Sequence, residues 1–255
     1  MPELLPPDLP AYSAAIMIVS SFFTSMIMAA TGLGGGVLLL SIMASLMPIA
    51  ALIPVHGVVQ LGSNAGRTFL LRNSVQWSYL LPFLLGSLIG AALGGKLVVT
   101  LNDAVLRIAL AVFILYMVWG PKPKFKASST RWLTALGGTI STFLTMFFGA
   151  TGPFVMAIYS NIFPDNRHHF IATHSAAMII QHVLKVIAFG LLGFAFAPWA
   201  GLIVAMVATG FAGTWTGTRL LNRIPEASFR VIFKALISLV ALHLLWRGLA
   251  SYLPA

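Results

Sequence analysis

Residues 29–36 read Ala29-Ala30-Thr31-Gly32-Leu33-Gly34-Gly35-Gly36 and interrupt a run that is otherwise apolar. Glycine at this density loosens a helix and frees backbone N–H and C=O groups that hydrocarbon cannot satisfy. At membrane depth such a break is tolerated only where protein buries it or a wet cavity faces it. A shorter echo, Gly149-Ala150-Thr151-Gly152-Pro153, stands about half the chain later. Matching breaks in two halves point to the substrate site of a transporter.

Composition supplies the membrane. Only 8% of the 255 residues are charged and 59% are hydrophobic, with a mean hydropathy of +0.96. Soluble domains carry roughly 25% charged residues, so a water-soluble enzyme is excluded and an all-α polytopic membrane protein is expected. Fifteen Lys and Arg against five Asp and Glu give a formal charge of +10. These basic residues sit mostly between apolar runs, which assigns them to topology and anionic lipid and not to nucleic acid. Cysteine is absent, so disulfides and thiolate metal sites are excluded. The N-terminal stretch carries Glu3 and Asp8 with no basic residue, unlike a secretory signal peptide.

Apolar segments fall at roughly 12–31, 33–48, 50–71, 75–98 and 103–120, then at 132–149, 153–163, 170–193, 199–221 and 226–248. Most approach the length of about 20 residues that a spanning helix needs. The second segment of each half is short, as in a half-helix or re-entrant hairpin. The halves resemble each other. Ala30-Thr31-Gly32 matches Ala150-Thr151-Gly152, and His56 with Arg67 matches His174 with Lys185, each pair eleven apart. Further on, Gly90-x3-Gly94-x-Lys96-Leu97 matches Gly213-x3-Gly217-x-Arg219-Leu220, and Asp103-x3-Arg107 matches Glu226-x3-Arg230. The chain therefore divides into a membrane repeat over 1–120, a basic linker over 121–131 and a second repeat over 132–255, with eight to ten membrane segments in total.

Charge sets the orientation. With five segments per half, or three spans and a hairpin, Arg72, Lys122, Lys124, Lys126, Arg131, Arg167, Arg219 and Arg223 share one face, with Arg230 and Lys234 at its edge. Lys96, Arg107 and Arg247 share the other, and ten against three makes the first face cytoplasmic. Both termini are then periplasmic and the repeats inverted. Reading 12–48 as one helix would make the repeats parallel. That helix would be roughly 55 Å long at about 1.5 Å per residue, too long for a core of about 30 Å. Trp77, Trp119, Trp132, Trp199 and Trp246 lie near segment ends, as interface anchors do.

Polar residues inside the segments mark the chemistry. His56, Gln60, Ser63, Asn64 and Arg67 stand at offsets 0, 4, 7, 8 and 11, within roughly a 100° stripe of one helix. His174, Gln181, His182 and Lys185, at offsets 0, 7, 8 and 11, repeat that stripe. A basic face on an apolar helix looks at a partner helix or a wet path and not at lipid. Two readings stay open: the histidines bond neighbouring backbone while Arg67 and Lys185 reach for an interface, or the stripe holds substrate. None of the five acidic residues lies deep in an apolar segment. A cation path or carboxylate proton relay would need one there, so the cargo is an anion and His174 or His182 is the group able to titrate. Gly34-Gly35-Gly36 opens a short helix, whose N-terminus attracts anions, and Thr31 and Thr151 add hydroxyls. The substrate-binding set is thus Thr31, Gly32, Gly34, Gly35, His56, Gln60, Asn64, Arg67, Thr151, Gly152, His174, Gln181, His182 and Lys185. The GxxxG elements read as packing faces. His168-His169 beside Arg167 reads as a solvated face, and His243 as packed. With no carboxylate pair, HExxH, P-loop or Ser/His/Asp set, neither catalysis, a metal nor a cofactor is expected.

These residues resemble the TauE/SafE family of sulfite and organosulfonate permeases. The resemblance rests on the ATGLGGG run at 30–36, the ATGP echo at 150–153, the duplicated GxxxG-x-K/R-L element and the overall length. It covers essentially the whole chain and implies a bacterial inner-membrane secondary carrier of seven or eight spans. The cargo it implies is a small sulfur-containing anion: sulfite, sulfoacetate, a taurine-related sulfonate or a thiosulfate-like species. Export by alternating access is the expectation. Uptake by the same machinery and an anion channel are the alternatives, and a homodimer is one oligomeric state open to it.

Overall fold

The computed structural model describes residues 6, 9–31, 34–98, 103–120, 130–220 and 226–250. Among them are ten α-helices and no strand. The first half holds α1 (Ala11–Thr31), α2 (Gly35–Leu46), α3 (Ile49–Leu70), α4 (Leu80–Val98) and α5 (Asp103–Trp119). The second holds α6 (Thr130–Phe148), α7 (Gly152–Ile162), α8 (Arg167–Leu191), α9 (Ala200–Arg219) and α10 (Glu226–Ala250). The expected segments are all present, each within a few residues of its expected ends. The chain is an all-helical, polytopic membrane protein. Among the described residues four stretches are long and apolar enough to cross a bilayer: Ala11–Ala30, Trp77–Leu97, Arg167–Leu191 and Ala197–Arg219. At 22 residues α3 has the length, but its polar stripe lowers its hydropathy.

Local chemistry sets the ends of the elements. Pro48 forces Met47 into an extended conformation (φ −136°, ψ 163°), which stops α2 and caps the start of α3. Asn166 caps α8 by accepting the His169 N–H at 2.9 Å. Gly34 (φ 63°) precedes α2 and Gly149 (φ 72°) follows α6, so each half turns at a residue in the left-handed region that glycine adopts without strain.

Small residues then decide which helices touch. On α4, Gly86, Gly90 and Gly94 lie against Ala135, Thr139 and Phe143 of α6; a Cβ on Gly86 or Gly90 would overlap an α6 carbonyl oxygen, and one on Gly94 would press on the Met146 side chain and the Phe143 carbonyl. Gly213 and Gly217 of α9 lie in the same way against Phe22 and Met26 of α1. In both pairs the residue numbers rise together, so each pair is parallel. Gly90 and Gly213 differ by 123 and their partners Thr139 and Phe22 by 117, so this is one contact made twice with the halves exchanged. The counterpart of Gly86 is Thr209, whose hydroxyl donates to the Ile18 carbonyl at 2.9 Å where Gly86 presses on Ala135. The GxxxG elements are packing faces.

Helices α3 and α8 meet each other across the centre. Arg67 reaches Ser175 and Lys185 packs on Gly57, so the two run antiparallel. Both exchanges carry the same shift of 118 (185 − 67 and 175 − 57). Gly62 and Gly66 of α3 face Val207 and Phe211 of α9, and Gly95 of α4 faces Ala188 of α8. Thus α1 and α3 run with α9, while α6 and α8 run with α4. Each helix of these three matched pairs runs opposite to its counterpart in the other half. These directions put Arg72, Arg131, Arg167 and Arg219 at one end of the bundle and Lys96, Arg107 and Arg247 at the other.

One expected correspondence shifts. The written match of Ala30-Thr31-Gly32 to Ala150-Thr151-Gly152 implies an offset of 120. Helix α1 ends at 31 and α6 at 148, and α2 begins at 35 and α7 at 152, an offset of 117 at both places. Gly152 therefore stands where Gly35 does, and Thr151 where Gly34 does.

Candidate functional site

Both short helices begin near the middle of the bundle, against α3 and α8. Between their first turns lies a cavity of about 30 Å³. A water needs about 10–15 Å³ on that measure, so the space is that of about two waters. The first half contributes Met28, Gly34, Gly36, Val37, His56, Gln60 and Asn64 to its wall. The second contributes Ala150, Gly152, Pro153, Met156, His174, Met178 and His182.

The two repeat histidines do the same task. His56 Nε2 donates to the Gly36 carbonyl at 3.0 Å, and His174 Nε2 donates to the Gly152 carbonyl at 3.3 Å. A carbonyl only accepts, so in each ring Nε2 carries the proton. Each histidine thus holds the opening turn of the short helix of its own half. This is the backbone-bonding reading of the two histidines, and both also border the cavity. His182 packs edge-on to His56 with ring centroids 6.4 Å apart.

The amides of the stripe differ. Asn64 is committed: its Nδ2 donates to the Gln60 carbonyl at 2.8 Å and its Oδ1 accepts from Arg67 at 3.2 Å. The Gln60 carboxamide lines the cavity and has no hydrogen-bond partner among the described residues. Gln181 turns away from the cavity. Its Nε2 donates to Thr142 Oγ1 at 3.4 Å, and its Oε1 lies 3.0 Å from Thr151 Oγ1, which also donates to the Ser141 carbonyl at 3.1 Å. In the first half the same place is filled by Ser63, which meets Ser25 and Thr214.

The two basic side chains are fully buried, Arg67 at 1% and Lys185 at 0% exposure. Arg67 donates from one terminal nitrogen to Asn64 Oδ1 and Ser175 Oγ, both at 3.2 Å, and its Nε has no partner among the described residues. Lys185 donates to the Gly149 carbonyl at 2.8 Å, at the C-terminal, partially negative end of α6. Neither meets a carboxylate among the described residues. Asp165 is exposed.

Of the expected set, Gly34, His56, Gln60, Asn64, Gly152, His174 and His182 come together at the cavity. Arg67 and Lys185 stand behind its wall, and Thr151 and Gln181 form a buried pair beside it. Gly35 serves packing, since a Cβ there would overlap the Thr24 carbonyl of α1. Gly32 and the Thr31 side chain lie outside the described residues. The sequence reading missed Gly36, Val37, Ala150, Pro153 and the methionines Met28, Met156 and Met178. Met178 was within reach, because the shift of 118 makes it the counterpart of Gln60.

The first turns are not equivalent. Helix α2 opens with Gly35-Gly36-Val37, whose N–H groups have no partner within the helix. Helix α7 opens with Gly152-Pro153, where proline has no N–H, and the Phe154 and Val155 amides both close on the Thr151 carbonyl at 3.0 and 3.3 Å. The donors for an anion are therefore concentrated on the α2 side.

No curated protein and no solved structure matches the chain. The model of the family described as Sulfite exporter TauE/SafE matches residues 17–244. That stretch runs from within α1 to within α10 and takes in both breaks and both polar helices. The chain belongs to the TauE/SafE sulfite exporter family, a family of membrane transporters of sulfur-containing anions.

Proposed function

We propose that the protein is a secondary carrier exporting sulfite or a small organosulfonate such as sulfoacetate across the bacterial inner membrane by alternating access. One observation carries the reading: Arg67 and Lys185 are fully buried with no carboxylate partner among the described residues. A buried cation is costly unless charge or good hydrogen bonding offsets it. A sulfur oxyanion in the cavity lies in the positive field of both, and its oxygens accept from Gln60 and the first-turn amides of α2. Set in a membrane, the opposed directions of matched helices make the halves inverted repeats, and the basic end faces the cytoplasm. With room for about two waters, the cavity is too small for a sulfonate, which enters only after the helices around it separate. His182 is the group suited to carry a coupled proton, because no carboxylate lines the cavity among the described residues.

The test is counterflow of labelled sulfite and sulfoacetate in proteoliposomes. Saturable exchange by the natural protein, cut at least tenfold by Arg67→Ala and by Lys185→Ala, is the expected result. Exchange at the natural rate in both variants removes the cations from the function, and ionic conductance without saturation makes the protein a channel.

A further inference from the structure

Helices α3 and α8 give the cavity two chemically distinct ends. Because they are antiparallel, Arg67 lies level with His174 and Ser175, while Lys185 lies level with His56 and Gly57. Ten residues of helix separate the two levels, about 15 Å. Gln60, Asn64, Met178 and His182, all cavity residues, fall between them. At the Arg67 end, His174 holds the opening of α7 through the Gly152 carbonyl. At the Lys185 end, His56 holds the opening of α2 through the Gly36 carbonyl, and Lys185 holds the last turn of α6 through Gly149. Level with each end thus stand one cation bound to neutral oxygens, just behind the wall, and one histidine pinning a short helix.

We infer that Arg67 and Lys185 are the two sided gates of the pathway: Arg67 closes the cavity toward the end of the bundle that carries Arg72, and Lys185 closes it toward the opposite end. The ties are of a kind that an anion displaces. Arg67 gives up a hydroxyl and a carboxamide oxygen, and Lys185 a single carbonyl, for a charged oxygen, a stronger acceptor than any of them. An anion arriving from one side draws off the cation at that side while the other remains tied. The two are related by the repeat but tied differently. Arg67 is held by side chains of α3 and α8, whereas Lys185 is held by the backbone of the α6–α7 break. Opening the Arg67 end therefore parts α3 from α8, and opening the Lys185 end releases α6. The inference rests on the carrier reading for its purpose, and its test does not depend on any substrate.

The chain contains no cysteine, so Gln60→Cys places a single thiol in the cavity wall. Its modification is followed in right-side-out and inside-out vesicles with two small impermeant methanethiosulfonates, one sulfonate-bearing and one trimethylammonium-bearing. In an Arg67→Ala background both reagents should react at least fivefold faster from the Arg72 side and unchanged from the other. In a Lys185→Ala background the sides should exchange. A loss of charge without opening raises the rate of one reagent and lowers that of the other, which overturns the inference, as does acceleration from the same side in both backgrounds. Two milder variants guard against misfolding: Ser175→Ala removes a partner of Arg67, and Gly57→Ala brings a Cβ to 2.8 Å from Lys185 Cε. Each should favour labelling from the side of its own cation, and equal labelling from both sides in this pair overturns the inference. If labelling is sided but sulfite and sulfoacetate do not move, the gates stand and the cargo assignment falls.

Discussion

Two glycines in equivalent places have opposite roles. A Cβ on Gly35 would overlap the backbone of α1, whereas one on Gly152 would meet nothing within 4 Å and only narrow the cavity. Gly35→Ala should destabilise the protein by about 1–3 kcal/mol through overpacking. Gly152→Ala should stay within about 0.5 kcal/mol of the natural protein while slowing sulfite exchange. Thermal denaturation in detergent, with counterflow on the same samples, separates the two. Thr151→Val makes the complementary case. It leaves the cavity wall intact but strips the hydroxyl from a buried group of Ser141, Gln181 and Thr142, so the loss should be of stability, about 1–3 kcal/mol. These distinctions could not be read from the residue string. Glycine and threonine in a motif look alike whether they touch a neighbour or a void, and only packing tells them apart.

At the level of elements, the sequence was most legible where periodicity and charge had one interpretation. The stripes on α3 and α8 could face only inward, and they do. The GxxxG runs of α4 and α9 were legible as packing faces, but their partners were not, because glycine specifies closeness without naming its neighbour. The register of the two breaks was misleading for a related reason. The Ala-Thr-Gly triplet recurs as text, while the helix ends that give it meaning sit three residues away. Gly90→Ala on α4 and Gly213→Ala on α9 should each destabilise by about 1–3 kcal/mol, because backbone cannot retreat as a side chain can. Thr209→Val should cost about 1 kcal/mol for the bond to Ile18. Denaturation midpoints of the three variants test whether the repeated contact is energetically repeated as well.

For the molecule as a whole, the paired directions of its helices lead to a sidedness that can be measured. Asn73 in the α3–α4 connection and Ala195 in the α8–α9 connection are exposed and lie at opposite ends. A cysteine at position 73 should be labelled by impermeant maleimide only from the cytoplasm, and one at position 195 only from the periplasm. Labelling of both from one side would remove the inverted arrangement. The count of basic residues already suggested this orientation, since charge in short connections is read directly from the chain. The pathway between the two ends was not legible, because it depends on which residues of α3 stand level with which of α8.

The unequal openings of the short helices have a thermodynamic consequence. A strictly two-fold machine would be equally populated facing either way, because exchanging its halves would leave its energy unchanged. Here Gln60 is answered by Met178, Asn64 by His182, and the first-turn N–H groups of Gly35-Gly36, which have no partner within α2, by Gly152-Pro153. Each mismatch is a difference in free energy between the two orientations, and about 1.4 kcal/mol already skews them tenfold. The empty protein therefore rests with a preferred side, and its apparent affinity for one cargo differs when measured from each face of the same membrane.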